Sequence, residues 1–85
     1  MMNELNEEFE KAYKKASTTT KKLPPDNMLR LYAYYKQATG ETVHHFNSDN
    51  DVIRSFKFNA WQQVRHLSVD EAKIAYIELI NKILS

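Results

Sequence analysis

The sequence of 85 residues contains no cysteine. That excludes a disulfide scaffold, a Cys-based zinc site and a thiol nucleophile, and it fits a reducing compartment such as the cytosol. Glycine occurs once and proline twice, whereas a β-rich fold of this length needs many tight turns, which draw on both residues. Few turns mean few connections, so a small number of long helices is expected. No apolar run approaches the ~20 residues that span a bilayer, and no stable membrane insertion is expected. The start, Met1-Met2-Asn3-Glu4, has neither the basic nor the apolar stretch of a secretory signal. Net charge is only +1, with both signs interspersed, so the basic stripe of a nucleic-acid binder is missing. There is no glycine-rich phosphate loop. No segment offers a nucleophile with a base and an oxyanion hole, so a non-enzymatic role is expected.

What is present is helical periodicity. Leu5, Phe9, Ala12, Tyr13 and Ala16 form one apolar stripe, which predicts a first helix from about Glu4 to Ser17. Asn3 stands where a cap belongs, with acidic residues early and lysines late, as the helix dipole prefers. Residues 17–22 are polar and β-branched and read as a loop. Pro24-Pro25-Asp26 opens a second helix, which carries Met28 to Thr39 and stops at Gly40. A third helix is expected from near Asp51 to about Arg65, with the stripe Ile53, Phe56, Ala60, Val64. A fourth begins at Ser68-Val69-Asp70-Glu71, a capping box with Ser at the cap and Glu three residues on. Its stripe is Ala72, Tyr76, Leu79, Ile80, Ile83.

Length makes this one domain over 1–85. The turn between the third and fourth helices is short, so the two are expected to be antiparallel neighbours. The connection 41–51 is long. Extended, it reaches roughly 35 Å, against about 20 Å for the second helix. The chain can travel back along that helix, so that helices two and three run in the same direction, and a groove between them is a possible ligand site.

Tyr32, Tyr35 and Lys36 share one helix face at i, i+3, i+4. Two phenols and an ammonium can hold an anionic, ring-bearing ligand. Aromatic stripes are more often core, and on spacing alone that reading is the better one. In Phe56-Lys57-Phe58-Asn59-Ala60-Trp61, Lys57 falls one position past the apolar stripe and can edge a groove; the plain reading is a bundle core with one solvated lysine. Tyr76, among Ile and Leu, reads as packing. Asn47-Ser48-Asp49-Asn50-Asp51 fails as a calcium loop, because Val52 and Phe58 stand where Gly and a bidentate Glu are needed; Asp49 or Asp51 reads as a helix cap. Glu41-Thr42-Val43-His44 matches one Glu-x-x-His, without the partner helices of a di-iron site. His44, His45 and His66 read as surface residues, and no metal site is expected.

The string Tyr32-Ala33-Tyr34-Tyr35-Lys36-Gln37-Ala38-Thr39 resembles the Tyr-x-x-Tyr-Lys-Gln-Ala-Thr hallmark of the acyl-CoA-binding protein family. Further matches follow in the family's order: Phe9 and Ala12, Met28-Leu29, Lys57-Phe58-Asn59-Ala60-Trp61 for the usual Lys-Trp-x-x-Trp, and Ala75-Tyr76-Ile77. The resemblance covers essentially the whole chain. It implies an all-α four-helix bundle with helices two and three parallel, joined by a long connection, and a single acyl-CoA-binding domain. It implies non-covalent binding and intracellular, cytoplasmic carriage of fatty-acyl-CoA by a monomer, with no other cofactor. Matched residue by residue, Tyr32, Lys36 and Lys57 resemble the ligands of the phosphorylated adenosine end, Tyr35 and Tyr76 its flanking residues, and Met28 and Leu29 the contacts to the acyl chain. The chain departs from the family at Gly40-Glu41-Thr42-Val43-His44-His45-Phe46, where a Gly-Asp-x-Asn and a Pro-Gly are usual. Phe58 replaces the first Trp of the later pattern. A basic residue often found late in helix one stands here as Ser17, with Lys21 and Lys22 near. Two rival classes are a helical module docking a protein through the Tyr32/Tyr35 face and a thioesterase-like enzyme, which lacks a nucleophile.

Overall fold

The computed structural model describes residues 4–40 and 51–84. Among them are four helices and no strand: α1 (Glu4–Thr18), α2 (Pro25–Thr39), α3 (Asp51–Val64) and α4 (Val69–Leu84). The expected cap Asn3, the Glu-x-x-His string, His44, His45 and the segment with Asp49 lie outside the described residues.

Local chemistry accounts for most of the helix ends. α1 has Glu4 and Glu7 in its first turn and Lys15 in its last, matching the dipole. It keeps Thr18, whose Oγ1 donates to the Lys14 carbonyl at 2.9 Å. α2 places Pro25 in its first turn, where a missing N–H costs nothing. It ends at Gly40, which takes φ +75° and donates its N–H to the Lys36 carbonyl at 2.7 Å; that left-handed conformation favours glycine. The predicted capping box opens α4. Ser68 N–H donates to Glu71 Oε1 at 2.8 Å, and Glu71 N–H donates to Ser68 Oγ at 3.1 Å.

The core is built from Phe9 and Ala12 of α1, Leu31 and Ala38 of α2, and Ala72, Tyr76 and Ile80 of α4. Side-chain pairs along the helices give their directions. Tyr32 meets Lys57, Lys36 meets Trp61, and Gln37 meets Trp61 and Arg65. Both numbers rise together, so α2 and α3 run parallel, as the length of their connection suggests. Gln37 meets Leu67 while Tyr35 meets Tyr76, so α2 and α4 run opposite ways. Asn6 meets Lys73 and Phe9 meets Tyr76, so α1 and α4 share a direction.

Two expectations about α3 need correction. α3 and α4 do run in opposite directions, but they are not packed as neighbours: the extensive helix contacts are α2 with α4, α2 with α3, and α1 with α4. A short turn fixes the distance between two helix ends and leaves open whose flank the rest of the helix covers. The second correction is rotational. Phe56, placed in the core stripe, is 51% exposed, while Lys57, read as solvated, is only 7% exposed. The inner strip of α3 is the half-buried Ile53, Ala60, Trp61 and Val64 with buried Lys57 among them. Phe56 lies about 100° round the helix from Lys57, so both cannot face α2.

Candidate functional site

α2 is the helix that every other part of the site refers to. Its hallmark segment turns Tyr32 inward, to 8% exposure, next to the fully buried Ala33. Across from it, α3 brings the Lys57 ammonium to 5.2 Å from the centre of the Tyr32 ring. Cations are attracted to the ring face, and the attraction grows when water is excluded. Burial in these surroundings lowers the Lys57 ammonium from the ordinary lysine range. An anion placed beside it would favour the charged form again.

One turn further along α2, the Lys36 ammonium lies 4.9 Å from the Trp61 ring centre, and the Arg65 guanidinium lies 4.9 Å from the same ring. Gln37 fixes this end. Its amide nitrogen donates to the carbonyls of Arg65 at 3.1 Å and Leu67 at 2.7 Å, and its oxygen accepts from Trp61 Nε1 at 3.2 Å. It thereby satisfies carbonyls that the end of α3 leaves without helical partners. Sequence reasoning assigns Gln37 no role. Its place in the hallmark string is the one signal available, because the partners of this glutamine lie 24 to 30 residues away.

A cavity of about 480 Å³ opens beside Tyr32, within the usual size range of small-molecule sites. Apolar Ala16, Leu23, Met28 and Leu31 line it together with Tyr32 and Tyr76. Ser17, Thr19, Lys21 and Lys22 supply its polar edge. Tyr76 is 3% exposed. Burial foremost, with the neighbouring Tyr13 and Tyr35, pushes its phenol up, so it stays neutral and acts toward a ligand as a hydrogen-bonding group, never as a charge.

The structure therefore brings three of the seven expected site residues, Met28, Tyr32 and Tyr76, to this cavity. Lys57 joins through Tyr32. Lys36 sits one turn away against Trp61. Leu29 is half-buried on α2 and is not among the cavity's lining. Tyr35 packs with Tyr13 at 4.8 Å, Phe9 at 5.9 Å and Tyr76 at 6.1 Å between ring centres. It belongs to the aromatic wall behind the cavity, bordering a second hollow of about 390 Å³. Lys21 and Lys22 reach the cavity from the α1–α2 loop. Lys21 is held there by donating to the Ile83 carbonyl at 2.6 Å, near the end of α4. Among the described residues no group of His, Cys, Asp or Glu is arranged to hold a metal ion.

Residues 6–80 match the family model described as Acyl CoA binding protein. Over 58 residues the chain is 40% identical to rat acyl-CoA-binding domain-containing protein 5, covering 67% of this chain but only 12% of that protein. It is 31% identical to the acyl-CoA-binding protein of Saccharomyces cerevisiae, covering 100% of this chain and 95% of that one. Among solved structures, acyl-CoA-binding protein 2 of Oryza sativa superposes with a TM-score of 0.78 at 32% identity, over 94% of this chain and 88% of that one.

Proposed function

The chain belongs to the acyl-CoA-binding protein family, and from that premise we propose that it is a non-catalytic, monomeric carrier of fatty-acyl-CoA in the cytoplasm, its 85 residues forming one acyl-CoA-binding domain. The observation that supports this reading most is the union of an aromatic-walled cavity with a buried cation at its edge: Tyr32 and Tyr76 line the cavity, and Lys57 lies on Tyr32. In this reading the adenosine end enters between the tyrosines. Lys36 and Lys57 serve its phosphates, and Lys21 and Lys22 at the rim add positive charge. Met28 and Leu29 meet the start of the acyl chain, and Tyr35 holds Tyr76 in place. Each methylene buried contributes up to about 0.8 kcal/mol, so affinity rises with chain length until the apolar surface is used up. No covalent step is needed, because enclosure alone keeps a detergent-like thioester dispersed.

The test is calorimetric. A long-chain acyl-CoA binds at one site per chain, and free CoA binds more weakly; equal affinity for the two would remove the carrier reading. The phosphate assignment has its own test. Acyl-dephospho-CoA lacks the 3′-phosphate, and hydrogen bonds to charged groups contribute about 1.5–3 kcal/mol each, so it binds at least roughly tenfold more weakly. Lys57→Ala weakens acyl-CoA strongly and the dephospho ester much less, because both changes remove the same contact. Simple addition of the two losses would take Lys57 away from the 3′-phosphate.

A further inference from the structure

The connection between α1 and α2 runs through residues 19–24. Because α1 and α4 share a direction, it leaves α1 at the end of the bundle where α4 also stops. Its backbone is fixed locally: Thr19 N–H donates to the Lys15 carbonyl at 3.1 Å, and Lys21 N–H donates to Thr19 Oγ1 at 3.1 Å. The Lys21 ammonium then crosses to α4 and donates to the Ile83 carbonyl at 2.6 Å. That carbonyl lies in the last turn of α4, where carbonyls have no helical partner and the helix dipole favours a cation. Leu23 of the connection and Ile83 and Leu84 of α4 pack, partly buried, on the same core. The same connection is also a wall of the cavity: Thr19, Lys21, Lys22 and Leu23 all line the hollow of about 480 Å³.

We propose that Lys21 is a positioning residue for this cavity. Bonded to the last turn of α4, its ammonium clasps the α1–α2 connection in place as a wall, and a ligand in the cavity in turn steadies the end of α4. The proposal rests on the cavity being the acyl-CoA site and adds to that reading what holds one of its sides. The need for a clasp follows from the packing. α1 and α2 are not among the helix pairs in extensive contact, so their own packing does not draw the two ends of the connection together. The connection is tied sideways instead, to the core through Leu23 and to α4 through the Lys21 hydrogen bond. That bond gives Lys21 a different task from Lys22 and Lys57. Its charge adds to the rim, but its donor is committed to the scaffold. Linkage makes the arrangement mutual: the factor by which the clasp strengthens ligand binding is the factor by which ligand strengthens the clasp. The bond is exposed to water, so the expected factor is that of one ordinary hydrogen bond, about fivefold.

The test moves the ammonium without changing the charge. Thr20→Lys with Lys21→Thr keeps composition and net charge, so the attraction of the rim for an anion persists while the clasp is lost. In the unliganded double variant, amide hydrogen exchange is expected to accelerate at Lys22, Leu23 and the last turn of α4, with α3 unchanged. Calorimetry with a long-chain acyl-CoA is expected to show affinity lowered about fivefold. The ester is expected to slow exchange at the end of α4 in the wild type and much less in the double variant. Lys21→Arg keeps a long stem and donors that reach a carbonyl, and is expected to retain most of the affinity and of the protection. A double variant that binds as tightly as the wild type overturns the proposal, as does a Lys21→Arg variant as weak as the double variant. Lost affinity with exchange at the end of α4 unaltered overturns it too, and would make Lys21 a direct contact of the ligand. The two readings fail separately. A wild type that binds no acyl-CoA removes the carrier reading and the clasp's effect on ligand with it. Binding by the wild type, with identical exchange in the two unliganded proteins, removes the clasp alone.

Discussion

α3 and α4 are nearly the same length and are joined by a short turn, yet they are held in place by different forces. α4 buries Ala72, Tyr76 and Ile80, the first and last at 0% exposure. Among the described residues the one buried side chain of α3 is a lysine, and beside the half-buried Ile53, Ala60, Trp61 and Val64 the helix meets α2 through the Gln37 hydrogen bonds and cations on the Tyr32 and Trp61 rings. Burial of hydrocarbon is strong and indifferent to ligand. Polar and cation–ring contacts are individually modest and can be remade around an anion. The difference teaches a division of labour: α1, α2 and α4 make the core, and in the proposed reading α3 is a wall that a ligand helps to hold.

Ile80→Ala gives the largest expected effect on stability. Deleting a fully buried aliphatic side chain costs about 2–5 kcal/mol, read from urea unfolding, and a core this small leaves little in reserve. A loss no greater than that of the half-exposed Ile53→Ala would erase the contrast between the two helices.

Gln37→Ala acts on the other side of the comparison. It strands the Trp61 N–H and two carbonyls at the end of α3 and costs about 1–3 kcal/mol. Hydrogen exchange in the variant is expected to accelerate in α3 with little change in α4. Uniform acceleration would mean that the two helices open as one unit.

Lys57→Met separates binding from stability. Long-chain acyl-CoA affinity is expected to fall at least roughly tenfold, the worth of one charged hydrogen bond, while the melting temperature holds or rises. The sign with pH follows from the lowered lysine value. Between the folded and the ordinary unfolded value the unfolded chain binds more protons, so the wild type gains stability as pH rises through that window. The variant lacks this gain, and their melting curves converge toward alkaline pH. Ligand affinity of the wild type moves the opposite way, falling as the ammonium is lost. Parallel melting curves for the two proteins across that range would contradict the burial of a charged Lys57.

Ser68→Ala is expected to cost about 1 kcal/mol, seen as a modest drop in melting temperature with acyl-CoA affinity unchanged. The Glu71 carboxylate is held below its usual range, first by the Ser68 backbone N–H and then by the hydroxyl. Its contribution is therefore present at neutral pH and disappears as pH falls through that lowered value. A change in affinity would show that the α3–α4 turn shapes the site.

Features made by neighbours along the chain are legible in the sequence itself. The capping box of α4, the Pro25 start and Gly40 stop of α2, and the dipole order of α1 each depend on groups within four residues of one another, so residue type and spacing suffice. The parallel run of α2 and α3 is legible too, because a long connection permits it. The hallmark string and its partners carry the family, and with it the expectation for Tyr32, Lys36, Lys57 and Tyr76. Only the tertiary structure decided which side of α3 faces inward. Phe56 is the more apolar residue and Lys57 the more polar, and local hydrophobicity favours the wrong one. Lys57 is buried with its charge against the Tyr32 ring, and that ring is 25 residues away on another helix. The same holds for Gln37 at the end of α3 and for Lys21 and Lys22 at the cavity. Their roles come from atoms that folding brings close, and a periodicity read along one helix has no access to what stands opposite it.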